Sequence, residues 1–269
     1  MTAAMILAAL VSAAPAAAAD PAVPAAPDRK VEVHGHRGAR AVRPENTLAG
    51  FRFAIEAGAD AIELDVVATA DDRLVVHHDL LVHPDLCTGP DGRPAARVPL
   101  RTLTFAQVRA LDCGRANPQF PRQVAVPGEQ IPTLEEAMAL VRTAGGGRVR
   151  VDVELKSAPA HPEWTPAPDR FVALALAAIH ESGLHDRVEV RSFDHRLLRL
   201  VRAADSALLT AVLVDRCLPD LVAVARAAGA TRVAPHSEWI TVDDVRRLHE
   251  AGMTVVPWTA NDPADWARL

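Results

Sequence analysis

The sequence lacks three things whose absence narrows its role. It has no excess of basic charge, since 29 Lys and Arg against 34 Asp and Glu give a net charge of -5. Such a chain has no basic stripe to lay on a nucleic-acid backbone, so no nucleic acid is expected as a partner. It has little cysteine, only Cys87, Cys113 and Cys217, so its core does not depend on a dense disulfide framework. Its apolar runs fall short of the roughly 20 residues that a membrane-spanning helix needs, so no stable span is expected. What is present is an ordinary globular composition, 49% hydrophobic and 23% charged. That is enough apolar material for one packed core and excludes disorder over most of the chain. The 269 residues match one α/β barrel, whose eight strand-helix units occupy about 250.

The N-terminus differs in kind. Met5 to Ala14 is small and apolar, and Ala17-Ala18-Ala19 precedes Asp20, which reads as a secretory signal over residues 1–19. No Lys or Arg precedes the apolar run, which leaves open a start further upstream or a flexible Ala-rich tail. Pro21, Pro24 and Pro27 favour an extended linker over residues 20–29, and the folded domain is expected over 30–269. The expected location is therefore secreted or periplasmic. Export places the cysteines in an oxidising compartment, where Cys87 and Cys113 can bridge; three buried thiols are the other reading.

From Val31 onward, short Val/Ile/Leu runs alternate with longer stretches of helical spacing, the pattern of βα units on a mainly parallel sheet. Eight strands are expected: Val31–His36, Ala61–Val67, Leu74–His78, Arg148–Leu155, Arg187–Ser192, Leu208–Val214, Arg232–Ala234 and Thr254–Trp258. Helices are expected over Thr47–Ala57, Thr133–Thr143, Asp169–Ser182, Asp194–Ala204, Pro219–Ala228 and Val242–Ala251. Thr133 with Glu136 forms a capping box, Asp194 is a cap, and Gly183 and Gly229 suit left-handed C-terminal positions. Too few residues separate the second and third strands for a crossover helix, so these two form a hairpin. A turn at Asp71-Asp72 pairs Asp65 with His78 and Val67 with Val76. The Pro- and Gly-rich stretch of about 80–132, with one helical piece near Thr104–Leu111, reads as an insertion after the third strand that shapes the substrate entrance.

Four clusters carry chemistry. His36-Arg37-Gly38 ends the first strand, and in a barrel that end faces the active-site mouth. Arg37 suits a phosphate as a planar, bidentate ligand; an ordinary surface pair is the alternative. Glu63 and Asp65 alternate onto one face of the second strand, where their repulsion is relieved by a hard cation or by a salt-bridge network. Asp152, Glu154 and Lys156 share one face of the fourth strand, so that Glu154 can complete a three-carboxylate site. Lys156 either holds a phosphate oxygen or merely neutralises Glu154. At the end of the hairpin, pairing with Asp65 turns His78 inward and leaves His77 structural.

The strings H-R-G, P-E-N-T, E-L-D, T-x-D-D-x-L-V-V-H-H-D, V-E-L-K, S-F and W-T-x-N occur in this order. The ordered set resembles the glycerophosphodiester phosphodiesterase family, from about Val31 to the last residue. The resemblance implies a TIM-type (β/α)8 barrel, one divalent cation, Ca²⁺ or Mg²⁺, and a small-molecule glycerophosphodiester substrate. It further implies hydrolysis to sn-glycerol 3-phosphate and an alcohol. By this resemblance Glu63, Asp65 and Glu154 match the metal ligands, His36 and His78 the acid/base pair, and Arg37 and Lys156 phosphate contacts. Phe193 and Trp258, at later strand ends, either wall the glycerol or headgroup pocket or pack in the core.

Related barrel phosphodiesterases acting on lysophospholipid or phosphoinositide headgroups would use much the same residues. A catalytically silent binding protein would not need both histidines and all three carboxylates, and a paired-carboxylate glycosidase leaves His36, His78, Arg37 and Lys156 unexplained. Family members usually continue beyond the position matching Leu269, so a truncated last helix and lowered stability are expected.

Overall fold

The computed structural model describes residues 31–269; the expected signal and linker lie outside the described residues. Seven strands form a curled parallel sheet: β1 (His34–Gly35), β2 (Ala61–Ala68), β4 (Arg150–Leu155), β5 (Val188–Ser192), β6 (Leu209–Val214), β7 (Arg232–Pro235) and β8 (Thr254–Val255), hydrogen-bonded in that order. β3 (Leu74–Val76) lies off this path, antiparallel to β2. The helices are α1 (Leu48–Glu56), α2 (Phe105–Arg109), α3 (Leu134–Ala144), α4 (Pro168–Ser182), α5 (His195–Ala204), α6 (Leu221–Ala228), α7 (Val242–Glu250) and α8 (Pro263–Arg268). This is the TIM-type α/β architecture, with the eighth strand spent on a hairpin arm and not on the parallel path. α8 was absent from the expected helices, although Asp262 caps it and Pro263 opens it as such a start requires.

Period-two alternation separates two environments. Ile62, Leu64 and Val66 of β2 and Val151, Val153 and Leu155 of β4 face outward into one apolar core with Phe51, Met138, Phe171, Ile179 and Leu197 from the helices. Burying each such large side chain stabilises the fold by roughly 1.5–3 kcal/mol. The intervening residues, Glu63 and Asp65 on β2 and Asp152 and Glu154 on β4, face the barrel interior and are buried as charge. The helix ends follow the sequence signals: Thr133 and Glu136 form the capping box, Asp194 caps α5, and Gly183 and Gly229 close α4 and α6 at φ 70 and 71.

The hairpin forms, but its register differs from the expected one. Val66 pairs with Val76, Val67 with Val75 and Ala68 with Leu74, a shift of one residue. The turn is a five-residue loop, not a two-residue one: Thr69 N–H donates to the Arg73 carbonyl at 2.9 Å, and Asp72 takes a left-handed conformation at φ 58. An odd number of turn residues moves the pairing by one, so His77, not His78, stands opposite Asp65. The His77 N–H donates to the Asp65 carbonyl at 2.9 Å. β3 ends at Val76, so strand alternation does not govern which way either histidine points.

The insertion builds a second apolar cluster against the hairpin, with Val82, Cys87, Leu100, Val108, Cys113 and Ile131 around Val67 and Val75. Cys87 and Cys113 form a disulfide at its centre, and Cys217 is a free, exposed thiol, so the reading of three buried thiols does not hold.

Candidate active site

The inward carboxylates of β2 and β4 meet because the strands run side by side in register, Glu63 beside Asp152 and Asp65 beside Glu154. One oxygen from each of Glu63, Asp65 and Glu154 lies within 4.8 Å of the other two, and all three residues are buried. Burial and the charges of Asp65 and Glu154 push the Glu63 carboxyl well above the usual range. Burial and Asp65 likewise push Glu154 up, against the opposing Lys156 ammonium. Burial also acts against ionised Asp65, yet Lys156, His78, Arg37 and an Asn46 hydrogen bond outweigh it and hold this carboxyl far below its ordinary value.

Basic groups close around the acids. Lys156 Nζ donates to Glu154 Oε1 at 2.6 Å and lies 3.5 Å from Asp65 Oδ1, so it does neutralise Glu154 while sitting at the mouth. Arg37 is left-handed at φ 52, which aims its backbone N–H at Glu63 Oε2, 2.8 Å away. Its guanidinium reaches Glu45 Oε1 at 2.9 Å and lies 3.5 Å from Asp65 Oδ2. The next residue, Gly38 at φ 82, tolerates no Cβ, which would lie 2.8 Å from the Gly50 backbone at the start of α1. The H-R-G string is therefore a backbone bend as much as a set of side chains.

His36 Nε2 lies 3.9 Å from Glu63 Oε2, and its Nδ1 shares a 3.0 Å hydrogen bond with the Thr259 hydroxyl. Burial, aided by the Arg37 charge, lowers its pKa to about 3, so the ring is neutral near pH 7. His78 Nδ1 sits 2.7 Å from Asp79 Oδ1. His77 is buried, with Nδ1 at 2.8 Å from the Asp79 carbonyl and Nε2 without a partner among the described residues. The pairing of His78 with Asp65, offered as the reason for its facing, does not occur; the side-chain partner of His78 is Asp79.

Phe193 and Trp258 meet edge to face, with ring centroids 5.6 Å apart, and Lys156 Nζ lies 5.9 Å from the centre of the Phe193 ring. Phe193 is half-exposed, so it does not pack in the core. Four contributors escaped the sequence reading: Glu45, Asn46, Asp79 and Thr259. Asn46 donates to Asp65 Oδ2 at 2.8 Å from a left-handed backbone at φ 56. All four stand in strings that carried the resemblance, P-E-N-T, H-H-D and W-T-x-N; their type alone marked none of them. Below the site the barrel is filled by ion pairs, Asp152 with His34 and Arg191, and Glu189 with Arg191 and Arg232.

Known proteins resemble the chain in sequence and in fold. The chain is 32% identical over 240 residues to a glycerophosphodiester phosphodiesterase of Caldanaerobacter subterraneus, covering 89% of this chain and 90% of that protein. Its fold superposes on a putative glycerophosphoryl diester phosphodiesterase of Silicibacter pomeroyi with a TM-score of 0.83 and 33% identity, over 88% of this chain and 86% of the other. A phosphodiesterase of Oleispira antarctica, solved with the product sn-glycerol-3-phosphate, shares the fold at a TM-score of 0.73 and 22% identity, over 87% of each chain. The glycerophosphoryl diester phosphodiesterase family model matches residues 36–269, and the chain belongs to that family.

Proposed function

We propose that this protein hydrolyses glycerophosphodiesters to sn-glycerol 3-phosphate and an alcohol, with one divalent cation, Ca²⁺ or Mg²⁺, on Glu63, Asp65 and Glu154. The observation that carries the proposal is the convergence of these three buried carboxylates with the His36 imidazole, Arg37 and Lys156. The acids fit a hard cation: all donors are oxygen, Asp65 Oδ1 is buried without a hydrogen bond, and burial together with repulsion from neighbouring carboxylates raises Glu63 and Glu154. When bound, such an ion supplies charge neutralisation at the phosphoryl oxygens. Arg37 and Lys156 orient the phosphate from its other sides. His36, neutral and oriented by Thr259, accepts at Nε2 the proton of the hydroxyl that attacks phosphorus. His78, held through Nδ1 by Asp79, leaves Nε2 to deliver a proton to the departing alkoxide. Phe193 and Trp258 wall the organic part of the substrate.

We also propose export to the periplasm or beyond through a signal over residues 1–19; the Cys87–Cys113 bridge supports an oxidising compartment. No helix among the described residues is long and apolar enough to cross a membrane. The activity is tested by incubating purified protein with glycerophosphocholine and identifying the products. Release of sn-glycerol 3-phosphate and choline, abolished by chelation and restored by Ca²⁺ or Mg²⁺ in the wild type but not in Glu63→Gln, is expected. Full turnover in chelator removes the metal role, and release of phosphocholine places the cut on the other side of the phosphate.

A further inference from the structure

Two imidazoles and a carboxylate converge at the end of the barrel away from the site above, and the proposed reaction uses none of them. His180 lies in the last turn of α4, His185 opens a short 3-10 helix (His185–Arg187) leading into β5, and Asp205 caps the C-terminus of α5. Because β5 begins here and ends at Ser192 beside Phe193, the cluster and the catalytic mouth occupy opposite ends of one strand. Gly183 at φ 70 reverses the chain between the two histidines and brings both rings to one side.

His180 Nε2 lies 2.8 Å and His185 Nε2 2.6 Å from the same oxygen, Asp205 Oδ2, and the two ring centroids are 5.3 Å apart. One donor atom from each residue lies within 4.8 Å of the other two. The second oxygen, Asp205 Oδ1, accepts the Ala207 N–H at 3.0 Å, which fixes the plane of the carboxylate. The His180 and His185 side chains are 53% and 35% exposed, so an ion reaches them without any opening of the fold.

We propose that His180, His185 and Asp205 form a second metal site, selective for a zinc-class divalent ion. Two imidazole nitrogens and one carboxylate oxygen are a borderline donor set that suits Zn²⁺, whereas the all-oxygen set of Glu63, Asp65 and Glu154 suits Ca²⁺ or Mg²⁺. Each ring binds through Nε2 and keeps its proton on Nδ1, and water completes a four-coordinate shell. A bound ion cross-links α4, the 3-10 helix and α5, three elements otherwise joined through this point by hydrogen bonds to one oxygen.

The test uses the full chain, stripped of metal and then held in excess Mg²⁺ and Ca²⁺ to occupy the oxygen site, while Zn²⁺ is titrated by calorimetry. The wild type is expected to take up one equivalent of Zn²⁺ and to melt at a higher temperature with it. His180→Gln and His185→Gln are expected to weaken that binding by roughly tenfold or more, since losing even a ligand's hydrogen-bond partner typically costs that much. Both variants should lose the thermal gain and keep glycerophosphocholine turnover, and Glu63→Gln should keep the Zn²⁺ equivalent. Equal Zn²⁺ uptake by the wild type and both histidine variants, no uptake by the wild type, or loss of the equivalent in Glu63→Gln would each overturn the proposal and leave a hydrogen-bonded His-Asp-His cluster. Turnover plays no part in that decision, so this site and the proposed reaction stand or fall separately.

Discussion

The adjacent histidines differ in burial and in partner. His77 is enclosed, with its Nδ1 spent on a backbone carbonyl, whereas His78 is a third exposed and oriented by a carboxylate. Replacing His78 by Ala is expected to lower kcat by about 10²–10⁴-fold, the range for one positioned proton transfer, in a protein that melts like the wild type. His77→Ala should keep kcat within about tenfold and show its effect in the melt, where a cavity is left. A dead His77→Ala beside an active His78→Ala, in steady-state assays on glycerophosphocholine, would reverse the assignment. The grouping of the three carboxylates was legible, because acids at period two on a strand share a face whatever the tertiary context. Thr259 was not legible: its contact with His36 spans 223 positions, and no local pattern encodes it.

Strands and helices were the most readable level, since helix starts carry Thr or Asp caps and the sheet alternates apolar with charged residues. The hairpin register was not readable, because the length of the turn depends on Asp72 adopting a left-handed backbone that two consecutive Asp residues do not specify. One contact between elements gives a pH prediction. Glu32, just before β1, pairs with Arg150 at the start of β4, and chiefly the Arg150 hydrogen bond lowers its pKa to about 2. A lowered carboxylate pKa adds stability that is complete above the unfolded value near 4.5 and disappears as pH falls toward 2. Because Glu32 is half-exposed, solvent screens the pair and the gain is small. The melting temperature of wild type should therefore exceed that of Glu32→Gln at pH 7, and the gap should close between about pH 4.5 and 2; a gap that widens on acidification contradicts the pairing.

At the scale of the whole molecule, the barrel and the insertion have separate apolar clusters, and only the insertion is stapled. The disulfide closes a loop of 26 residues, for which removal typically costs about 2–4 kcal/mol. Cys113→Ser should lower the urea midpoint by a corresponding amount and expose the 80–132 segment to protease before the barrel is cut. Simultaneous cleavage of both parts would mean that they unfold as one unit. The size of the chain and the order of its strands announced a barrel, but the charged filling of the interior did not follow from composition, since the same residues on a helix surface give the same counts. That filling joins the two ends of the molecule. Arg191 is buried between Asp152 and Glu189 and its charge also reaches Glu63, so the floor of the barrel acts as an electrical ground for the chamber above it. A substitution deep in that floor can therefore shift the charge balance of the acids without moving any of them.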